Sequence, residues 1–129
     1  MLGYQVPEMQ FLNKLPPQIR LQLSIQATYH VQYGANGIAR GEMSVSVLDR
    51  EKEKDFSIKV TLVGVFKTDE IDQQVIHKES FRTLFPYARA LISTVTANAG
   101  MPPILLPAMD PEGKGVLRVE INPKGNPAE

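Results

Sequence analysis

The sequence predicts an α+β domain in which an antiparallel meander of strands precedes a long helix. Three observations predict it. Ile19 to Tyr33 alternate between apolar residues at odd positions and polar ones at even positions. Two later runs, Met43 to Val47 and Phe56 to Leu62, alternate in the same way. Finally, LFPYARALISTVTANAGMPPILLPAM (84–109) holds one charged residue, Arg89, among 26, in a chain that is 22% charged.

The first strand candidate is Tyr4 to Leu12, where Pro7 favours a sheet edge because it has no N–H to give a neighbour. Leu15-Pro16-Pro17 ends it. A period of two from Ile19 to Tyr33 means one buried and one wetted face. Gly34 to Gly37 is a turn. Met43, Val45 and Val47 alternate with Ser44 and Ser46. Asp49 to Asp55 is charged at all seven positions with mixed signs, as in a solvated hairpin connection. Phe56, Ile58, Val60 and Leu62 form the next strand. Val63, Val65 and Phe66 then place apolar groups on both faces, which requires cover on both sides, and Gly64 marks a bulge or a close backbone approach. Short turns between such strands argue for a meander.

Thr68 to Arg82 is polar enough for a short helix or an irregular crossing. Pro86 suits the first turn of a helix, and Phe85, Ala88, Leu91, Ile92, Val95 and Ala99 fall on one helical face. Gly100 stops it. A helix from Pro86 to Ala99 is about 21 Å long. Its opposite face carries Ser93, Thr94, Thr96 and Asn98 in place of the lysines and glutamates of a solvent face, so that face is suited to packing on another surface. Pro102, Pro103 and Pro107 keep MPPILLPAM extended. Gly113 and Gly115 make a further turn, Val116, Val119 and Ile121 suit a last short strand, and NPKGNPAE is expected to fray.

The 129 residues fit one domain with a sizeable core. Fourteen basic and fourteen acidic residues balance, which gives no pull toward nucleic acid or anionic lipid. The chain has no cysteine. Disulfides, thiolate metal sites and cysteine nucleophiles are thereby excluded, and a reducing cytoplasm is the compatible location. MLGYQVPEMQ lacks a basic segment followed by an apolar run, so no signal peptide is expected. The apolar stretch is too interrupted to span a membrane.

Reactive constellations are scarce. His30 lies on the polar face of a strand and His77 in the polar crossing, without neighbours at metal-ligand spacing. No serine sits in a G-x-S-x-G turn, and no glycine pattern makes a phosphate loop or dinucleotide fingerprint. Tyr87 and Arg89 read as a packing side chain and a structural hydrogen-bonding group. The sequence points to a non-enzymatic protein without metal or cofactor, either a binding module that works through apolar surface or an oligomerising domain that buries it.

LFPYAR (84–89) followed by ISTVTANAGMPPILLPAM (92–109) resembles the SecB family of protein-export chaperones. DFSIKVTLVGVF (55–66), GEMSVSVLD (41–49) and IRLQLSIQATYHV (19–31) are similar to that family's later strands in the same order, and residues 4–12 to its first. The resemblance covers about residues 4–110, with 111–129 as an extension of one domain. It implies a four-stranded antiparallel sheet with a long helix in the C-terminal half packed on one face. It also implies a homo-oligomer, a dimer of dimers with the helices sandwiched between sheets and Ser93, Thr96 and Asn98 at the interface. By the same resemblance, Met101, Ile104, Leu105 and Leu106 belong to a loop that holds unfolded polypeptide clients, as an ATP-independent holdase does.

Two departures accompany it. Asp110-Pro111-Glu112-Gly113 and the last strand stand where the family has a second helix. The wet face of the second strand carries Arg20, Gln22, Ser24 and Gln26 where family members that dock the SecA motor are acidic, which speaks against engagement of SecA. A structural or regulatory oligomer with a single dedicated partner, such as a toxin–antitoxin-associated SecB-like chaperone, is the alternative.

Overall fold

The structure, a computed structural model, describes residues 1–16, 20–51, 54–109 and 117–121, the last group as backbone alone. Ile19, Lys52 and Glu53 of the charged connection, the turn at Gly113 and Gly115, Val116 and the tail 122–129 lie outside the described residues. The described elements are β1 (Gly3–Asn13), β2 (Leu21–Tyr33), β3 (Ile38–Asp49), β4 (Phe56–Lys67), α1 (Gln73–Asn98) and β5 (Leu117–Ile121). They form an antiparallel sheet in the order β1-β4-β3-β2-β5 with α1 across one side. The four-stranded sheet and its helix are thus present in β1–β4 and α1. The expected last strand is β5, which lengthens the sheet at its β2 edge.

Alternation decides which side of each strand is dry. Leu23 and Ile25 of β2, Met43, Val45 and Val47 of β3, and Ile58, Val60 and Leu62 of β4 all point under the helix and are at most 1% exposed. Phe81, Leu84, Ala88 and Ile92 meet them from α1. The opposite side of the sheet is faced by small polar groups, among them Ser44 and Thr61, whose hydroxyls lie 3.2 Å apart. Asp49 departs from the solvated connection expected around it. It is 1% exposed, and its two carboxylate oxygens accept from Gln22 N–H and Glu51 N–H at 3.1 and 3.0 Å, tying the end of β3 to β2.

The helix begins earlier than the sequence predicts. Asp72 caps it by accepting from Gln74 N–H at 2.9 Å, and Ile76, Ser80, Phe81, Leu84 and Phe85 already occupy its buried stripe before Pro86 is reached. Pro86 therefore stands inside α1, where it removes one i→i−4 hydrogen bond at a cost of about 3 kcal/mol. The apolar stripe on either side offsets that loss. Leu91 and Val95 of the predicted face are half-buried, and Ala99 is exposed just past the helix end. With 26 residues, α1 is about 39 Å long.

Two glycines set how closely α1 lies. Gly41 and Gly64 are directly paired across β3 and β4. A Cβ on Gly64 would stand 2.9 Å from Phe66 Cε2 and 3.2 Å from Leu84 Cδ1, and one on Gly41 would strike the Tyr29 ring and hydroxyl. Gly64 is thus a close approach. The bulge lies on the neighbouring strand. Between the pairs Gln5↔Val63 and Glu8↔Thr61, β1 has Val6 and Pro7 where β4 has only Leu62. Tyr29 donates to Ser80 Oγ at 2.6 Å and stacks edge-on against Phe81 at 5.5 Å.

Gly64→Ala should destabilise the chain by about 1–3 kcal/mol through overpacking against Phe66 and Leu84. Chemical denaturation of the purified variant checks this. An unchanged midpoint would show that the helix stands further from the sheet.

Candidate functional site

The end of α1 is built to hold the apolar loop that follows it. Gly100 takes φ 83°, which suits glycine. Its N–H donates to Ala97 O at 3.2 Å and Met101 N–H donates to Thr96 O at 3.3 Å, a paired terminus that turns the chain back along the helix. Thr96 is fully buried. Its hydroxyl donates within the helix, to Ile92 O at 2.8 Å and Ser93 O at 3.0 Å, and accepts from Ile104 N–H at 2.9 Å. One hydroxyl thus pins the loop to the helix.

That pin sets which loop side chains point out. Ile104 and Leu106 are 1% and 0% exposed and complete the core, whereas Leu105 between them is 65% exposed. Met101 is half-buried, packs on the core, and lies 3.9 Å through its sulfur from Asn13 Nδ2 at the end of β1. Met109 is half-buried as well. Of the four loop residues singled out from the sequence, Leu105 and part of Met101 are reachable, and Ile104 and Leu106 anchor them from below. Of the three helix residues, Asn98 is exposed and Ser93 half-exposed, while Thr96 faces inward to the loop of its own chain.

An apolar strip runs away from this loop. The helix crosses β2, β3 and β4 and leaves the same side of β1 largely uncovered. Tyr4, Met9 and Phe11 lie on that side by their pairing with Gly64, Val60 and Ile58. Tyr4 and Met9 are exposed and Phe11 half-buried. Tyr87 reaches over from the helix to Tyr4, with ring centroids 4.4 Å apart. Exposed Leu2 extends the strip at its start. Sequence reasoning missed the strip because it joins residues more than eighty positions apart. The nearest signal was Tyr87, an aromatic off the buried stripe of the helix.

Other places offer less chemistry. Ser80 accepts from Tyr29 and donates to the backbone carbonyl of His77 at 3.2 Å, a chain of structural hydrogen bonds. Burial raises the Tyr29 pKa, partly offset by its bond to Ser80, so the phenol stays neutral and donates. His30 is exposed on β2. A cleft of about 160 Å³ beside Phe66, Ile76 and Thr83 is smaller than the roughly 300–1,000 Å³ of ordinary ligand pockets. Among the described residues there is no group of His, Asp and Glu placed to hold a metal, and no helix is long and apolar enough to cross a membrane.

Residues 4–113 match the family described as "Preprotein translocase subunit SecB". The chain belongs to the SecB family. It is 34% identical over 122 residues to an uncharacterized protein of Methanocaldococcus jannaschii, covering 86% of this chain and 78% of that one. It is 30% identical over 104 residues to the protein-export protein SecB of Bradyrhizobium diazoefficiens, covering 74% of this chain and 60% of that one. In three dimensions it is similar to a Mycobacterium tuberculosis SecB-like chaperone solved with a ChAD peptide from the HigA1 antitoxin. The TM-score is 0.59 at 12% identity, covering 82% of this chain and 90% of that one, a likeness of fold.

Thr96→Val should leave the buried Ile104 N–H without its acceptor and lower stability by about 1–3 kcal/mol. Amide exchange at Ile104 and Leu106 should rise more than in the strands. Unchanged exchange there would mean that the loop is held by its side chains alone.

Proposed function

We propose that this SecB-family chain is a non-enzymatic holdase that keeps polypeptides unfolded by covering their apolar segments. The observation that carries the reading is the partly exposed apolar strip from Leu2 and Tyr4 along β1 to Met101, with exposed Leu105 on the same loop. Burial of apolar area is scored by area and not by pattern, so such a strip accepts many sequences. At about 25 cal/mol per Å², covering roughly 400 Å² of a client yields a gross gain near 10 kcal/mol, much of which is offset by ordering the client. Met101 and Met109 bring unbranched, adaptable side chains.

The same strip supports an oligomer, and a dimer of dimers remains the proposed assembly. Beyond Arg82 the helix has only one charged side chain, Arg89, and its exposed residues include Tyr87, Ala90, Thr94, Ala97 and Asn98. Ser93 and Asn98 are the proposed outward contacts, with Thr96 acting from inside by fixing the loop. On β2, β3 and β4 the outer face of the sheet carries Gln22, Ser24, Gln26, Ser46 and Lys59 with a single carboxylate, Glu42, which argues against an acidic dock for a SecA-type motor. A second reading, a chaperone with one dedicated partner, is favoured by the antitoxin peptide held by the mycobacterial neighbour.

Leu105→Asp should abolish suppression of aggregation of a chemically unfolded client while leaving the melting temperature within a few degrees, because Leu105 is 65% exposed. Leu106→Asp, at a fully buried site, should unfold the protein. Full suppression by a folded Leu105→Asp protein would remove the loop from the proposal. Light scattering at micromolar concentration should give a mass above the 14.4 kDa of one chain. A monomer would contradict the assembly.

A further inference from the structure

The β2 edge of the sheet holds a strand of the chain's own making. Among the described residues, pairing runs Leu21↔Ile121, Leu23↔Val119 and Ile25↔Leu117, whereas β2 continues through residues 26–33. Among the described residues no strand lies beside that remainder on its outer side. The direction of the backbone groups follows from Arg50 N–H donating to Gln22 O at 2.8 Å. Even residues of β2 turn their amides to β3, so odd residues turn theirs to the edge. Leu21, Leu23 and Ile25 meet β5 there, and Ala27, Tyr29, Val31 and Tyr33 continue the same row.

We propose that β5 is an intramolecular occupant of the β2 edge, holding by strand addition the place that an extended client segment of alternating apolar and polar residues takes when it binds. The partner's chemistry is read from β5 itself. Its sequence, Leu-Arg-Val-Glu-Ile, alternates, its apolar positions pair with the apolar residues of β2, and it joins antiparallel. Among the described residues β5 pairs with β2 alone and spans five residues, against thirteen in β2. A longer segment would match it residue for residue and extend along the rest of that row, with backbone bonds supplying affinity and alternate side chains supplying preference. Tethering gives β5 a high effective concentration, so it keeps the edge covered when no client is present. This gate rests on the holdase reading above.

Ser24 and Arg118 face each other in a pair whose amides point away from one another, the closer kind of antiparallel pair. Cysteines at both positions are within disulfide reach, and the chain has no other cysteine. The probe is a fluorescein-labelled peptide repeating the Leu-Arg-Val-Glu-Ile pattern, with a second version N-methylated at alternate residues so that it cannot pair with an edge. The oxidised S24C/R118C protein should bind the first peptide about tenfold more weakly than the same protein reduced. Full-length Val119→Pro, which removes the N–H facing Leu23, should bind it severalfold more tightly than the parent chain. The N-methylated peptide should not distinguish the two redox forms. Equal binding of the first peptide by oxidised and reduced protein, with aggregation suppression intact, would overturn the gate and leave the holdase reading standing. A disulfide formed between chains and not within one would also overturn it. Loss of peptide binding and of suppression in every form would sink both.

Discussion

Gly41 and Gly64 face each other on the helix-bearing side of β3 and β4, and two missing Cβ atoms there let Tyr29, Phe66 and Leu84 settle against the backbone. A helix of 26 residues with Pro86 in its middle has little stability of its own. It persists because Ile76, Phe81, Leu84, Phe85, Ala88 and Ile92 lie on the dry sides of β2, β3 and β4. Held that close to the central strands, α1 does not extend over β1. The uncovered side of β1 is therefore a result of how the core packs, and it leaves Tyr4, Met9 and Tyr87 available for other contacts.

The loop shows how one polar atom can organise an apolar surface. Ile104, Leu105 and Leu106 are nearly equivalent in hydrophobicity, and any of them would fill the core. Thr96 Oγ1 selects among them by fixing the Ile104 amide, after which an extended backbone must send alternate residues to opposite sides. The buried hydroxyl both donates and accepts, and these bonds offset the cost of its desolvation. An alanine or valine helix face would bury more apolar area at that point and would leave the direction of the loop undetermined.

These facts explain which parts were legible in the sequence. The strands were, because period-two alternation between Leu21 and Leu62 is the physical record of a sheet with one dry side. Their order and the family's helix-and-loop arrangement followed from motifs between Leu84 and Met109. The helix start was obscured by Pro86, whose local preference for a first turn is real but smaller than the packing of the stripe that precedes it. The inward turn of Thr96 was hidden because a small polar residue on a helix has the same signature whether it meets another subunit or its own loop. Direction within Ile104-Leu105-Leu106 left no trace at all, since three apolar residues in a row have no alternation to read. The strip on β1 requires the bulge at Val6 and Pro7, and a one-residue slip in register moves every later side chain to the other face.

A sheet with exposed edges must be kept from pairing with copies of itself. This chain treats its two edges differently. At β1, Pro7 withholds an N–H, the bulge breaks the regular ladder and Glu8 adds charge, which are ordinary defences against indiscriminate strand pairing. At β2 the first part of the edge is covered by β5. A covered edge and a defended edge have different consequences. Proline and a bulge are permanent, and they restrict β1 to partners shaped for an interrupted strand. Among the described residues β5 is paired on one side only, and the core beneath it does not depend on that pairing, because Leu23 and Ile25 are also held by β3 and the helix. On the gate proposed above, the β2 edge is the place where the sheet would exchange one strand for another while the rest of the molecule stays folded.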